Sequence, residues 1–526
     1  MAQAPVVVGG TSFIEQNGWL RASSIFTVSD ADGDPITMYQ FLDATTTADS
    51  SYFWVNGTTP PSSFADPITV SAADLANVWL HGGATIGVVD ALQVRAFDSP
   101  TSASAWATIN LTTQAPSSGP NIFRGGPGHD VLSGTPGDDS FFGDDGSDGI
   151  TGGFGNDTIN GNDGFDIATY SGSKGSYTIT PAQDTFTVTG PDGSDTLSGV
   201  EKLTFGDGSV KLLSSIAHAS GNDLTGDGIG DVLWRGDNGS VGLWGLNGTT
   251  ITGGGFVNGG AAAPLDWNIA GAADFNGDGH GDILWRGDDG RVAEWNMNGT
   301  AIVGGGFVNG GAAVTLNWQI AGVGDFDGDH KADILWHGSD GIVGLWQMNG
   351  PNIVGGGFVN GGVSLPPDWH IAAVADFSGD GKSDILWQNV DGRVAEWSLN
   401  GTSIIGGGFV NNSIPIVTPD WHLAGVGDFN GDHKSDLLWQ NTDGRLGLWQ
   451  MDGPNIVGGG FVSGGSPVTT GWRIVGVGDF SGDGKSDILL RANDGHIGEW
   501  TMNGTTITGG GFVNNGTPVT ADWIAT

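Results

Sequence analysis

Asn317–Gly362 reads NWQIAGVGDFDGDHKADILWHGSDGIVGLWQMNGPNIVGGGFVNGG, and its punctuation decides the fold. Four short β-type runs, WQIAGVG, DILWHG, IVGLWQM and NIVGGGFV, are separated by Asp-Gly and Asn-Gly turn signals. The unit recurs six times from about Gly221 onward, its first Asp falling at Asp223, Asp274, Asp325, Asp376, Asp428 and Asp479. Four strands in about 50 residues, repeated in tandem, is the pattern of propeller blades, because one blade cannot bury its own two faces but a ring of them can.

The number of blades follows from two details. The first copy has Ala219-Ser220-Gly221 where the others carry an Ala/Gly/Val run, and the sequence closes with Asp522-Trp523-Ile524-Ala525-Thr526, the same strand without its loop. That last strand is expected to complete the first blade and so remove the open sheet edges. The third strand alternates Leu243, Glu294, Leu345, Glu396, Leu448 and Glu499, each before a Trp, as if a two-blade unit had been copied. A closed ring keeps strict alternation only with an even count, so six blades are expected rather than seven.

A second repeat of period nine lies upstream. Gly125, Gly134, Gly143, Gly152 and Gly161 open five copies, with Asp130, Asp139, Asp148, Asp157 and Asp166 at the sixth position of each. GGPGHDVLS and GGFGNDTIN match G-G-x-G-x-D-x-U-x fully, a parallel β-roll signature. Alternating strands follow to about Leu213. The N-terminal segment has strand-like runs ITVSAADL, VWLHGG and ALQVRAF and an acidic turn at Asp30, Asp32 and Asp34. Gln114–Pro120 reads as a linker. The expected organisation is all-β: a β-sandwich over 1–117, a nonapeptide β-roll over 118–169, its β-strand cap over 170–217 and a six-bladed propeller over 218–526.

Composition narrows the function. The 526 residues carry 17 Lys and Arg against 58 Asp and Glu, a formal charge of −41, yet 21 Trp and 24 Phe give ample core material. With no basic stripe, the charge argues against nucleic acid and anionic membrane surfaces as partners, and no apolar run reaches the length of a spanning helix. There is no Cys, so neither disulfides nor thiolate zinc sites exist. MAQAPVVVGG lacks a basic and then apolar leader, so no cleavable signal peptide is expected. Only five acids are Glu, and Asp is the acid of turns and calcium loops.

Each blade loop has the form D-x-[D/N/S/T]-G-D-[G/H]-x-x-D, with oxygen side chains at positions 1, 3, 5 and 9. The candidate ligands are Asp223, Thr225, Asp227 and Asp231; Asp274, Asn276, Asp278 and Asp282; Asp325, Asp327, Asp329 and Asp333; Asp376, Ser378, Asp380 and Asp384; Asp428, Asn430, Asp432 and Asp436; Asp479, Ser481, Asp483 and Asp487. Hard oxygen donors wrapped around one point suit Ca²⁺, which takes six to eight at about 2.3–2.6 Å, better than octahedral Mg²⁺. Asp-Gly pairs alone make turns, but six loops in register with four oxygen positions each argue for the ion. The third loop, with four acids, is expected to bind tightest and the first, with Thr225, more weakly. Stacked nonapeptides would align their Asp between coils, where carboxylates repel without a cation.

These loops, such as DFNGDGHGD and DFSGDGKSD, resemble the FG-GAP/VCBS repeats of integrin-α propellers and bacterial surface proteins. The resemblance implies side-chain ligands at positions 1, 3, 5 and 9 and a carbonyl at position 7. The 125–169 stretch resembles RTX calcium-binding repeats, TYSGSKGSYTIT and GSDTLSGVEKLTFGDGSV look like the cap that follows them, and residues 26–112 resemble a cadherin-like module. RTX resemblance implies multiple Ca²⁺, export unfolded through a type I channel, and folding in extracellular calcium.

Other conspicuous residues give expectations of two kinds. Glu294, Glu396 and Glu499 either create repeated polar ligand sites or sit in solvent-facing or inter-blade pairs, with Arg291 or Arg393 nearby. Trp318, Trp336, Trp346 and their equivalents stack on sugars if exposed, but most are expected to pack between blades. Arg235-Gly236-Asp237 and Arg286-Gly287-Asp288 occupy turns, and turn chemistry explains them. His280, His330 and His433 fall outside side-chain ligand positions and are expected at the surface; His370 and His422 follow the blade Trp and are expected to be structural. No H-E-x-x-H, G-x-S-x-G or P-loop is present, so no catalytic residues and no enzyme are expected. The sequence points to a secreted or cell-surface calcium-binding adhesion protein whose propeller binds an extracellular glycan or protein. The alternatives are a calcium-dependent lectin and a self-assembling surface-layer or matrix component.

Overall fold

The computed structural model describes residues 4–525 apart from 16–18, 33, 44–50, 56–66, 73–74, 76–77, 84, 100–101, 115–120, 126–128, 145, 163, 183–184, 214–218, 221–222, 367–368, 414–416, 419 and 470. Most of the expected linker therefore lies outside the described residues. Two compact units form, one of Met1–Asn121 with Thr135–Asp138, the other of Ile122–Gly134 with Asp139–Thr526.

The first unit is a β-sandwich. One sheet runs Thr11–Glu15, Ala107–Gln114, Val89–Ser99, Met38–Asp43, Ile68–Ser71, and a second runs Trp19–Arg21, Val78–His81, Tyr52–Val55. Alternate residues point inward, so Phe41, Leu92, Val94, Ile109 and Leu111 meet Phe53, Val78 and Leu80 in one core. In the acidic turn the Asp30 Oδ1 accepts the N–H groups of Asp32 and Asp34.

In the second unit the nonapeptides wind into two parallel sheets. Asp139–Phe142 pairs with Thr158–Asn160 and that with Gly193–Ser198; Val131–Ser133 pairs with Gly149–Thr151, then Ile167–Tyr170, then Lys202–Phe205, all parallel. Residue 169 is thus no end to the roll: two cap strands continue both sheets in parallel. Antiparallel strands then close them, Phe186–Gly190 and Thr178–Pro181 on one sheet and Val210–Leu212 on the other. Phe141, Ile150, Ile159, Leu197, Leu203 and Phe205 fill the space between the sheets.

The propeller has six blades, each built on four antiparallel strands in sequence order, with one short parallel strand added to blade 6. The exception proves closure: Trp523–Ala525 pairs with the Trp234–Gly236 segment and supplies the first strand of blade 1. The short Ala219–Ser220 strand does not stand in for that strand; it pairs in parallel with Gly476–Val477 of blade 6. The first strands of blades 2 to 6 adjoin one another from blade to blade. There Gly322 comes so close to blade 4 that a Cβ would lie 2.5 Å from Val374 Cγ2. The Gly-Gly-Gly-Phe strands are bulged, as their composition predicts, with a register shift against the third strand in every blade, for example between Gly245 and Leu246.

Blade interfaces alternate in chemistry. Leu243, Leu345 and Leu448 complete apolar layers between blades 1 and 2, 3 and 4, and 5 and 6. At the same position Glu294, Glu396 and Glu499 face the other three interfaces, sharing a face with their cross-strand neighbours Leu284, Leu386 and Leu489.

Candidate calcium centres

Each blade loop joins the first strand to the second and folds around its own first Asp. Asp274 Oδ1 accepts N–H groups from Gly277 (2.6 Å) and Asp278 (3.3 Å), and Oδ2 accepts from Gly279 (2.8 Å). The same three bonds recur at Asp223, Asp325, Asp376, Asp428 and Asp479. The reversal requires a left-handed residue at position 4, and all six glycines there have φ between 74° and 84°. Position 5 is held as well: Asp278, Asp329 and their equivalents accept the N–H two residues on at 2.9–3.0 Å.

Position 9 opens the second strand and is buried. Asp282 accepts N–H groups from Met297 (2.8 Å) and Phe275 (3.1 Å), fastening the loop to the third strand. Asp333, Asp384, Asp436 and Asp487 make the equivalent bond to Met348, Leu399, Met451 and Met502. Burial, with repulsion from a neighbouring acid of the same loop or, at Asp487, from Glu499, pushes Asp231, Asp282 and Asp384 up to about 6 and Asp333, Asp436 and Asp487 up to about 7. A divalent cation would offset that cost.

The loops bring positions 1, 3 and 9 together. In the third, carboxylate oxygens of Asp325, Asp327 and Asp333 all lie within 4.8 Å of one another, the one such acidic group among the described residues. In the first, Thr225 Oγ1 lies 3.4 Å from both Asp223 and Asp231. Ser378 Oγ is 3.4 Å from Asp376, and Asn276 Nδ2 is 3.2 Å from Asp282. Asp329 stands outside the Asp325 group and is paired with Lys331 at 2.9 Å. The loops are also chained. The position-8 N–H of each donates to the position-1 carbonyl of the preceding blade at 2.6–2.8 Å, from Gly281 to Asp223 round to Gly230 and Asp479. Position 7 packs over the preceding loop's glycine, so His280 lies against Gly226 and is half-buried rather than at the surface. His330 and His433 are exposed, as expected.

In the roll the Asp residues form two rows. Asp130 N–H donates to Asp148, and Asp148 N–H to Asp166; Asp139 N–H donates to Asp157, all to Oδ1 at 2.8–2.9 Å. The rows run on into the cap, where Asp157 N–H donates to Asp195 Oδ1 and Asp166 N–H to Glu201 Oε2. Asp195 and Glu201 thus extend the ladder, and the nine-residue count misses them because a hairpin is inserted before them. Asp139, Asp148, Asp157 and Asp166 are at most 1% exposed. The repeat glycines clear space beside them: a Cβ at Gly143 would lie 2.3 Å from Asp148 Oδ2 and 2.4 Å from the Gly161 carbonyl oxygen. Carboxylate and carbonyl oxygens from successive turns converge without nitrogen or sulfur, a donor set that fits Ca²⁺.

The remaining conspicuous residues resolve as packing. Glu294, Glu396 and Glu499 are fully buried, so they are not exposed ligand sites. Their Oε1 atoms accept from Asn296 (2.6 Å), Ser398 (2.7 Å) and Thr501 (2.7 Å). Arg291 and Arg393 pair instead with Asp289 and Asp391. Both Arg-Gly-Asp turns hold the cap. Asp237 binds Lys174 at 2.8 Å, Lys211 at 3.4 Å and the Leu212 N–H, and Asp288 binds the buried Lys202 at 3.0 Å. Arg235 and Arg286 stack over Trp285 and Trp336 of the next blade.

Residues 274–336 and 428–490 match an FG-GAP-like repeat model, and residues 117–150 and 133–168 match the RTX calcium-binding nonapeptide repeat. No curated protein matches the chain. Among solved structures, the extracellular lipase LipA from Serratia marcescens is 21% identical over 18% of this chain and 18% of that one, with a TM-score of 0.16. AztD from Citrobacter koseri is 10% identical over 66% of this chain and 97% of its own, with a TM-score of 0.34. BamB from Moraxella catarrhalis is 13% identical over 66% and 95%, with a TM-score of 0.28. RTX repeats are typical of secreted proteins, and among the described residues no helix is long and apolar enough to cross a membrane.

Proposed function

We propose that this RTX and FG-GAP repeat protein is a secreted, non-catalytic adhesion or surface protein. It leaves the cell unfolded by a type I route, folds as calcium fills the roll and the blade loops, and then presents its propeller as a ligand-binding module. The calcium half of this reading draws on the buried carboxylate rows, which repel one another until a cation neutralises them.

The observation that carries the binding half is a repeated aromatic pair. Phe256, Phe307, Phe358, Phe409, Phe461 and Phe512 are 45–58% exposed on the fourth strands. Each lies 5.8–6.2 Å, centroid to centroid, from the first-strand Trp of its own blade. Large apolar side chains held open in every blade mark a contact surface. The test is capture of the full chain on arrays of glycans and extracellular-matrix proteins, with calcium and with chelator. Calcium-dependent capture is expected. Equal signal in both conditions, or none in either, contradicts the reading, and calcium-driven polymerisation without capture favours a structural layer instead.

A further inference from the structure

Blade 5 carries an aromatic cleft at one end. Trp421, Trp439, Trp449 and Phe461 line a cavity of about 270 Å³, with Gly447 and Gly460 in its wall. It lies at the blade end away from the calcium loop, because Trp421 begins the first strand and Asp428 follows that strand's end. Trp439 is 2% exposed, and its indole Nε1 is buried with no hydrogen-bond partner. Trp439 and Trp449 stand 4.9 Å apart at 51°, an open aromatic corner.

Three sequence features set the surroundings of this cleft apart from the same place in the other blades. Blades 2 and 4 carry Ala293 and Ala395 where blade 5 has Gly447, and a Cβ at Gly447 would lie 3.3 Å from Trp421. Blade 6 carries Leu490 where blade 5 has Trp439, and so lacks the indole donor. In blades 1, 2 and 3 an arginine of the preceding blade stacks on the equivalent Trp at 4.9–5.8 Å, and in blade 4 His337 meets Trp387 edge-on. The residue at that position before blade 5 is the uncharged Gln388. No other blade combines glycine, indole and an uncharged neighbour.

We propose that this cleft binds a single neutral sugar residue, a reading that rests on the propeller being a ligand-binding module. The aromatic faces take the apolar C–H face of a pyranose, and the Trp439 N–H, which has no protein acceptor, donates to a hydroxyl oxygen. The volume sits just below the range of about 300–1,000 Å³ for small-molecule sites, which suits one ring and not a peptide strand. A chain of charge −41 disfavours an acidic sugar.

The test uses the calcium-loaded full chain and methyl glycosides of glucose, galactose, mannose, fucose and N-acetylglucosamine, followed by titration calorimetry and tryptophan fluorescence. At least one glycoside is expected to bind with one site per chain and to perturb the fluorescence. Gly447→Ala and Gln388→Arg should each weaken it at least tenfold while calcium content and melting stay within the wild-type range, and Trp439→Leu should weaken it at least tenfold with a lower melting temperature, because it cuts back a core side chain. Each places at blade 5 a residue that another blade already carries at the equivalent position. Failure of every glycoside to bind, or affinity unchanged in all three variants, overturns the proposal. If array capture persists undiminished in those variants, this site falls and the ligand-module reading stands; if wild type captures nothing, both fall.

Discussion

Replacing the buried acids by the leucine that other blades use should stabilise the protein, and more so as pH rises. Burial, and then the nearby Asp282, pushes Glu294 up from 4.5 to about 8; burial likewise pushes Glu396 up to about 7. The folded state therefore holds these protons more tightly than the unfolded chain. Their contribution is complete below pH 4.5 and is lost as pH rises through 7 to 8. At neutral pH the difference is worth about 2–3 kcal/mol per site after solvent screening. Glu294→Leu removes it, and loses the Asn296 hydrogen bond at 2.6 Å, worth about 1 kcal/mol. The net gain is about 1–2 kcal/mol at neutral pH and larger at pH 8, and it turns into a net loss of about 1 kcal/mol at pH 4.5, where only the hydrogen bond is lost. Urea unfolding of Glu294→Leu and Glu396→Leu in saturating calcium, followed by tryptophan fluorescence at both pH values, measures it. A variant less stable than wild type at pH 8, or a difference that does not change with pH, would refute the reasoning and imply a charged, compensated glutamate.

Asp333→Asn should remove one calcium per chain and weaken that site at least tenfold, read by metal counting and titration calorimetry, because it deletes one of the three gathered carboxylates. Asp195→Asn should lower the calcium content of the roll although it lies outside the nonapeptide register, since Asp195 closes the Asp139–Asp157 row. Asp237→Ala leaves Lys174, Lys211 and the Leu212 N–H without their carboxylate. It should cost about 3–5 kcal/mol and split the single melting transition into a roll step and a propeller step, read by scanning calorimetry. Gly379→Ala should destabilise blade 4 by about 1 kcal/mol or more in denaturant titration, because φ is +76° and Lys434 lies 2.9 Å from the new Cβ.

The blades were legible because each strand and turn is repeated, so the pattern survives noise at any one residue. The alternation of Leu243 and Glu294 counted the blades and also mapped, without revealing it, onto alternating interfaces. What the pattern hid was orientation. The repeat left Glu294 open between a ligand site, a solvent face and an inter-blade place; it faces a neighbouring blade, since ring packing buries both faces of a sheet. The Arg-Gly-Asp turns read as turns, but their roles as clamps depend on Lys174 and Lys202, far away in sequence. Asp195 and Glu201 escaped because the hairpin Thr178–Gly190 breaks the nine-residue spacing while leaving the parallel pairing intact.

Melting the full chain by scanning calorimetry, with bound calcium counted before chelation, after it and after calcium return, tests the account most directly. The account predicts six or more ions per chain, a large fall in melting temperature on chelation, and recovery when calcium is restored. A chain that holds no calcium and melts unchanged with chelator would contradict it, leaving the Asp-Gly loops as turns alone.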